Sequence, residues 1–171
     1  MIGNKYGAHR VIEPKGVLPQ PAWKNDKDVS KIYDNEILVD VLTLNIDAAS
    51  FTQIKKDVGE NEEKISAKIL EIVNSRGKMH NPVTGSGGML IGKIEKIGDA
   101  LKEKVNIDVG DEIATLVSLS LTPLNIKKIK KVHLDNDQVD VEAKAIIFES
   151  GVYAKLPKDM DKRLALAILD V

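Results

Sequence analysis

The segment of residues 36–45 constrains the fold most, because its apolar side chains fall on both faces of an extended strand. Three aliphatic residues alternate on one face and three on the other, namely Ile37, Val39 and Val41 against Leu38, Leu42 and Leu44. A strand of this kind is buried on both faces, so we expect it inside a sheet that other elements cover. Aromatic residues make up only 4% of the chain, and the core must therefore be built from Val, Ile, Leu and Ala.

Two helices are predicted directly after this strand. Residues 50–58 form a short helix with Ser50 as its N-cap. Residues 61–76 form the longer helix, because aliphatic residues recur there at helical spacing and two glutamates lie near its start. Gly77 follows the last residue of this pattern and can end the helix.

Short segments of strand character, separated by Gly, Asp and Pro, follow the helices. We predict extended segments at residues 89–97, 112–119, 130–134, 138–147 and 154–156, with a turn at residues 135–137. Several short strands with one or two helices indicate a mainly β chain of the α+β class. The architecture that this order favours is a small, partly open β-barrel with helical insertions.

The chain divides into three parts on this interpretation. Residues 1–35 contain several prolines and form an irregular extension packed on the barrel. Residues 36–157 form the main domain, and residues 158–171 begin a connecting helix. The apolar pattern is still running at Val171, so we expect the natural chain to continue beyond it.

Charge and composition exclude several classes of function. The 25 basic and 26 acidic residues give a net charge of -1, which gives no argument for a nucleic acid or an anionic membrane as partner. The chain has no cysteine, so it can form neither disulfides nor sulfur-ligated metal sites. No apolar stretch has the length of a membrane span, and the N-terminal residues lack the apolar segment of a secretory signal, which indicates a soluble cytoplasmic protein.

The loop of residues 80–88 is the most unusual segment, because it combines polar side chains with three glycines. Glycines let the backbone approach a ligand closely, and His80 can act as a general acid or base. An ordinary flexible turn is the alternative. The loop matches neither a phosphate-binding loop nor a dinucleotide fingerprint, because it leads into a strand. The three histidines have spacings that match no metal site, and we predict none.

The order of several motifs resembles the medium-chain dehydrogenase/reductase family. These motifs are LNIDAAS at residues 44–50, PVTGSGGMLIGKIEKIG at residues 82–98 and VGDEIA at residues 109–114. The resemblance implies a GroES-like catalytic domain whose nucleotide-binding Rossmann domain is absent from this chain. Asp47 stands where the family has a zinc-ligating cysteine, and Gly88 stands where it has a histidine. The resemblance therefore implies a member without zinc.

Longer strings resemble a narrower group in that family, the NAD-dependent amine dehydrogenases of anaerobic lysine fermentation. They are KYGAHRVIEPKGVLPQPAW, GKMHNPVTGSGGMLIG, IATLVSLSLTPL and IFESGVYAKLP. The resemblance implies oxidative deamination of a small diamino acid, with NAD bound mainly by the missing domain. It also implies that the full-length protein is a homodimer. The alternatives are a zinc-independent quinone or enoyl reductase of the same superfamily, or a non-catalytic GroES-like binding module.

The resemblance and the chemistry of amine oxidation together suggest a role for six residues. Hydride leaves an amine carbon only after the ammonium has lost a proton to a base. Asp47 is the candidate base, and His80 the candidate carrier of a proton or water. The substrate-binding candidates are Arg10 for the carboxylate, Glu149 for the distal ammonium, and Ser50 and Ser86 for hydrogen bonds. The alternatives are that Asp47 only caps a turn, that His80 only orders its loop, and that Arg10 and Glu149 pair with each other or with solvent.

Overall fold

The computed structural model of the chain describes residues 1–161 and 164–165. Two helices lie next to each other in the chain, α1 (Ala48–Val58) and α2 (Glu62–Arg76). The strands of the described residues are β1 (Val11–Glu13), β2 (Lys24–Asn25), β3 (Glu36–Ile46), β4 (Gly88–Ile97), β5 (Glu112–Thr115), β6 (Leu124–His133), β7 (Gln138–Phe148) and β8 (Tyr153–Lys155).

Six of these strands form one antiparallel sheet in the order β6-β7-β3-β4-β5-β8, and β1 pairs with β2 separately. Strand β3 lies between β7 and β4 and is buried along most of its length, as its two apolar faces predict. The core around it is almost entirely aliphatic, with Phe51 as its aromatic member. The α+β class predicted from the sequence is confirmed.

The longer helix is built as predicted. The Asn61 side chain accepts a hydrogen bond from the Lys64 amide at 3.0 Å and caps the N-terminus of α2. Gly77 ends α2 in the left-handed conformation, with φ at 71°. One face of α2 is buried in the main core through Ile65, Ile69, Ile72 and Val73.

The shorter helix begins three residues earlier than predicted. Asp47 is its N-cap, and the Asp47 carboxylate accepts a hydrogen bond from the Ala49 amide at 3.2 Å. Ser50, which we expected to cap the helix, is fully buried inside its first turn. Strand β3 ends at Ile46, so the helix starts directly after Asp47 and not at Ser50.

Two strands differ from their predicted bounds by more than one residue. Strand β5 ends at Thr115 instead of residue 119, and β6 begins at Leu124 instead of residue 130. Register shifts between Ile126 and Lys128 and between Ile129 and Lys131 interrupt the alternation of β6. The pairing order has β6 and β8 at its two ends, so the GroES-like barrel stays a prediction.

The N-terminal segment packs on the sheet through a buried ion pair. Arg10 donates to the two carboxylate oxygens of Glu36 at 2.8 and 2.9 Å. Part of the predicted connecting helix, at residues 162–163 and 166–171, lies outside the described residues. Ala165 is helical and packs in a small cluster with Ile91, Ala114 and Leu156. Within the described ranges, no helix has both the length and the apolar character to span a bilayer.

Candidate functional site

The polar loop of residues 81–88 lies against the junction between β3 and α1. Two backbone hydrogen bonds close the loop on itself, from the Asn81 amide to the Ser86 carbonyl at 2.9 Å and from the Gly85 amide to the Asn81 carbonyl at 2.8 Å. The amide of Asp47 then donates to the Gly87 carbonyl at 2.9 Å. The two segments that the sequence singled out are therefore neighbours.

Gly88 is required where the loop enters β4. Its φ is +144°, and a Cβ at this position would lie 1.9 Å from the carbonyl oxygen of Asn45. A Cβ at Gly87 would lie 2.6 Å from the Ser120 amide nitrogen. Because no side chain fits at either position, backbone alone lies beside Asp47 on this side.

Asp47 presents a carboxylate at the N-terminus of α1. One of its oxygens accepts the hydrogen bond from Ala49 that caps the helix, and the residue is exposed. The other oxygen has no hydrogen-bond partner in the part of the chain that the structure describes. A carboxylate with one fixed and one free oxygen can accept a proton from an approaching ammonium.

Two hydroxyl groups lie on the outer part of the loop. The Thr84 Oγ1 and Ser86 Oγ atoms are 2.9 Å apart, and either can be the donor. Thr84 is exposed and Ser86 is half-buried. The pair can exchange hydrogen bonds with a polar ligand or with water, and substrate binding by Ser86 stays a prediction.

Ser50 instead faces the interior. Its Oγ accepts a hydrogen bond from the Asn81 side-chain amide at 3.0 Å, and the residue is fully buried. The same amide nitrogen donates to Gln53 Oε1 at 2.8 Å. Ser50 therefore binds the loop residue Asn81 from inside the protein. The contact with substrate that we predicted for Ser50 has no support in this buried position.

His80 orders the loop. Its Nε2 donates to the Gly85 carbonyl at 3.1 Å, while Nδ1 is buried and has no hydrogen-bond partner among the described residues. Burial lowers the pKa of His80, and the charges of Lys78 and Arg76 lower it further, to about 4. His80 is thus neutral near pH 7 with its N–H engaged, so its predicted role as proton carrier has no geometric support.

The two cations beside His80 hold the N-terminal segment. Lys78 is fully buried and donates to the carbonyls of Pro19 and Gln20 at 2.6 and 3.0 Å. Arg76 stacks on the Trp23 ring, with 4.2 Å between the guanidinium carbon and the ring centroid, and donates to the Trp23 carbonyl. Burial first, and then the charge of Arg76, lowers the pKa of Lys78 to about 7.

Arg10 and Glu149 form their hydrogen bonds with residues other than Asp47 and the polar loop. The guanidinium of Arg10 is engaged by the buried carboxylate of Glu36 and by the carbonyls of Asp28 and Lys31. Burial would raise the pKa of Glu36, but hydrogen bonds from His9, Arg10 and the Tyr33 amide outweigh it and lower the pKa to about 2.

Glu149 accepts a hydrogen bond from the Asn35 side chain at 3.1 Å and has Lys104 at 4.0 Å. Arg10 and Glu149 therefore pair with other residues instead of with each other. Their predicted contacts with substrate have no support in these positions.

The residues present do not suggest a bound zinc ion or dinucleotide. Among residues 1–161 and 164–165, no group of three or more His, Asp or Glu side chains lies close enough to hold a metal. Gly87 and Gly88, beside Asp47, have no side chain that could bind a metal ion. The loop also enters strand β4 at Gly88, whereas a dinucleotide-binding turn leaves a strand and enters a helix.

The sequence interpretation missed Asn81 and Gln53 as site residues. Asn81 precedes Pro82, and Asn-Pro pairs commonly begin turns in which the side chain binds the following backbone. That signal predicts the bond from the Val83 amide to Asn81 Oδ1, observed at 2.8 Å. Nothing local predicts Gln53, because it lies 28 residues from Asn81 in the chain.

One family model and two curated relatives that match this chain share a name. The family described as "L-erythro-3,5-diaminohexanoate dehydrogenase N-terminal domain" matches residues 9–157. L-erythro-3,5-diaminohexanoate dehydrogenase of Acetoanaerobium sticklandii is 64% identical over 171 residues, which cover 100% of this chain and 49% of that protein. The protein of the same name from Fusobacterium nucleatum subsp. nucleatum is 64% identical over 169 residues, covering 99% and 49%.

The chain thus spans about half the length of the curated relatives it matches. Among solved structures, a mutant form of enoyl thioester reductase from Candida tropicalis has a TM-score of 0.31 and 13% identity, covering 76% of this chain and 27% of that one. That likeness is too low to bear on the fold. By the match over residues 9–157, the chain belongs to the family of L-erythro-3,5-diaminohexanoate dehydrogenase N-terminal domains.

Proposed function

We propose that this chain is the substrate-binding and catalytic domain of an NAD-dependent amine dehydrogenase. The proposed substrate is L-erythro-3,5-diaminohexanoate, and the proposed products are 5-amino-3-oxohexanoate and ammonia. The observation that carries the proposal is the 64% identity to two proteins of that name along the whole chain. The exposed carboxylate of Asp47, whose backbone amide bonds to the loop carbonyl of Gly87, supports it.

Asp47 is the proposed base. The substrate ammonium must lose a proton before its carbon can lose hydride, because a positively charged nitrogen cannot donate its lone pair to the forming imine. The free carboxylate oxygen of Asp47 takes this proton, and Asp47 becomes the carboxylic acid. Thr84 and Ser86 then orient the neutral amine, and later the water that hydrolyses the imine.

The cofactor belongs to the other half of the full-length protein in this proposal. NAD would accept the hydride there, since the described residues here present no dinucleotide-binding turn. We therefore expect residues 1–171 expressed alone to give no turnover. The absence of zinc, the homodimer and the cytoplasmic location that the family resemblance implies are part of the same proposal.

The full-length protein provides the test. We expect it to reduce NAD when L-erythro-3,5-diaminohexanoate is added, with one ammonia released for each NADH formed. In the reverse direction, NADH oxidation with the 3-oxo acid should require ammonia. An enoyl or quinone reductase would oxidise NADH without ammonia, and a non-catalytic module would give no reaction, so either result would overturn the proposal.

A further inference from the structure

The side chain of Asn81 uses all of its hydrogen-bonding capacity inside the protein. Its two N–H groups donate to Ser50 Oγ at 3.0 Å and Gln53 Oε1 at 2.8 Å. Its Oδ1 accepts from the Val83 amide at 2.8 Å and more distantly from the Thr84 amide at 3.5 Å. Asn81 is 1% exposed, so water does not compete for these bonds.

These bonds connect the two halves of the proposed site. Ser50 and Gln53 lie about one turn apart on the same face of α1, the helix that Asp47 caps. Val83 and Thr84 lie in the loop that carries the hydroxyl pair. One buried amide thus joins the helix that carries the proposed base to the loop that carries the proposed hydrogen-bonding groups.

We propose that Asn81 is a positioning residue that sets the loop hydroxyls of Thr84 and Ser86 against the carboxylate of Asp47. This inference rests on the proposed function. Asn81 itself has no contact with substrate, because its amide is buried and fully bonded. Its effect on the reaction therefore passes through the geometry of the loop.

No other side chain provides this set of bonds at the same length. Aspartate lacks the two N–H donors and would place a negative charge against Ser50 Oγ and Gln53 Oε1. Glutamine has the right groups but one more methylene, which does not fit in a fully packed site. Alanine leaves two loop amides and two α1 side chains without this partner.

The main test is a double-mutant cycle in the full-length enzyme. We expect Asn81→Ala to lower kcat/KM for the diamino acid about 100-fold, since small misplacements of reacting groups have effects of this size. Gln53→Ala should lower it about 5-fold through the loss of one half-buried acceptor. In the Asn81→Ala background, Gln53→Ala should add less than about twofold, because the two residues act through one bond.

Two controls separate positioning from stability. Asn74→Ala makes the same change on the exposed side of α2, where Asn74 Oδ1 only accepts a bond from Lys27, and should leave kcat/KM unchanged. Val132→Ala removes buried volume from β6 and should lower the melting temperature without changing kcat/KM. The KM for NAD should be unchanged in Asn81→Ala.

A readout independent of turnover completes the test. Hydrogen exchange of the amides at residues 83–86 in the full-length protein should speed about tenfold in Asn81→Ala, while β3 stays as protected as in the wild type. Unchanged exchange in the loop would overturn the inference, and so would unchanged kcat/KM or fully additive effects in the cycle. A wild-type protein inactive on the diamino acid overturns the proposed function instead, and the exchange result then decides whether Asn81 fixes the loop.

Discussion

Asp47 combines two roles at the scale of the single residue. It caps α1 through its bond from Ala49, and it presents a free carboxylate oxygen beside the loop. Asparagine is about as good an N-cap as aspartate, but it cannot accept a proton at neutral pH. One substitution therefore separates the structural role from the proposed chemical one.

We predict that Asp47→Asn leaves the melting temperature of the full-length enzyme within about two degrees and lowers kcat at least about 100-fold. Thermal unfolding and steady-state kinetics measure the two effects. Asp57→Asn is the control, since it removes the same charge from the other end of α1 and should leave kcat unchanged. Wild-type kcat in Asp47→Asn would remove Asp47 from the chemistry.

The sequence shows which residues are unusual but not which residues meet. Asp47 was selected from its position in the family resemblance, and Ser86 and His80 from the polar loop. The structure brings these two segments together. Arg10 was assigned to a substrate carboxylate because nothing local shows that Glu36, 26 residues away, already binds it. Partners at such separations depend on the tertiary fold.

At the scale of elements, the register of β3 and β4 decides where the loop lies. Ile46 pairs with Gly88, and the Gly88 backbone passes close to the Asn45 carbonyl. Gly85, by contrast, lies at the tip of the loop, where a Cβ would meet no atom within 4 Å. Both glycines have positive φ, but only Gly88 lies against another backbone segment. Comparing substitutions at the two positions therefore separates the cost of backbone strain from the cost of a steric clash.

We predict that Gly88→Ala lowers the free energy of unfolding by more than about 3 kcal/mol, because strain and a backbone clash act together. Gly85→Ala should cost only about 1 kcal/mol, the strain of the left-handed conformation alone. Urea titrations of the full-length variants measure the difference. Equal costs for the two variants would show that the close approach at Gly88 does not exist.

Local pattern predicted the elements whose signals are regular. Strand β3 and helix α2 were predicted nearly to the residue, because apolar periodicity and capping residues agree there. Strand β6 was predicted too short, because its register shifts after Ile126 and Ile129 hide the alternation behind paired lysines. The bulges arise where β6 pairs with β7. The sequence of β6 alone does not reveal that pairing.

At the scale of the whole molecule, buried cations attach the N-terminal segment to the body. Lys78 is held between two carbonyls of that segment, and burial lowers its pKa to about 7. The unfolded chain keeps the ordinary lysine pKa of 10.5. Between about pH 7 and pH 10.5, Lys78 carries a proton in more of the unfolded molecules than of the folded ones. The free energy of unfolding therefore rises with pH across this interval.

We predict that the free energy of unfolding of the wild type rises by about 2 kcal/mol between about pH 7 and about pH 9. Lys78→Met keeps the apolar stem but has no titrating group, so this rise should vanish. Urea titrations at several pH values measure the slope. Lys128→Met, on an exposed residue of β6, should keep the wild-type slope. An identical rise in Lys78→Met would assign it to other groups.

The central proposal is that this chain contributes the substrate side of an amine oxidation. The most direct measurement uses L-erythro-3,5-diaminohexanoate that carries deuterium on the carbon bearing the 3-amino group. After incubation of the full-length protein with this substrate and NAD, mass spectrometry of the NADH reports where the deuterium goes. We expect one deuterium in each NADH formed. NADH without deuterium, or no NADH at all, would contradict the claim.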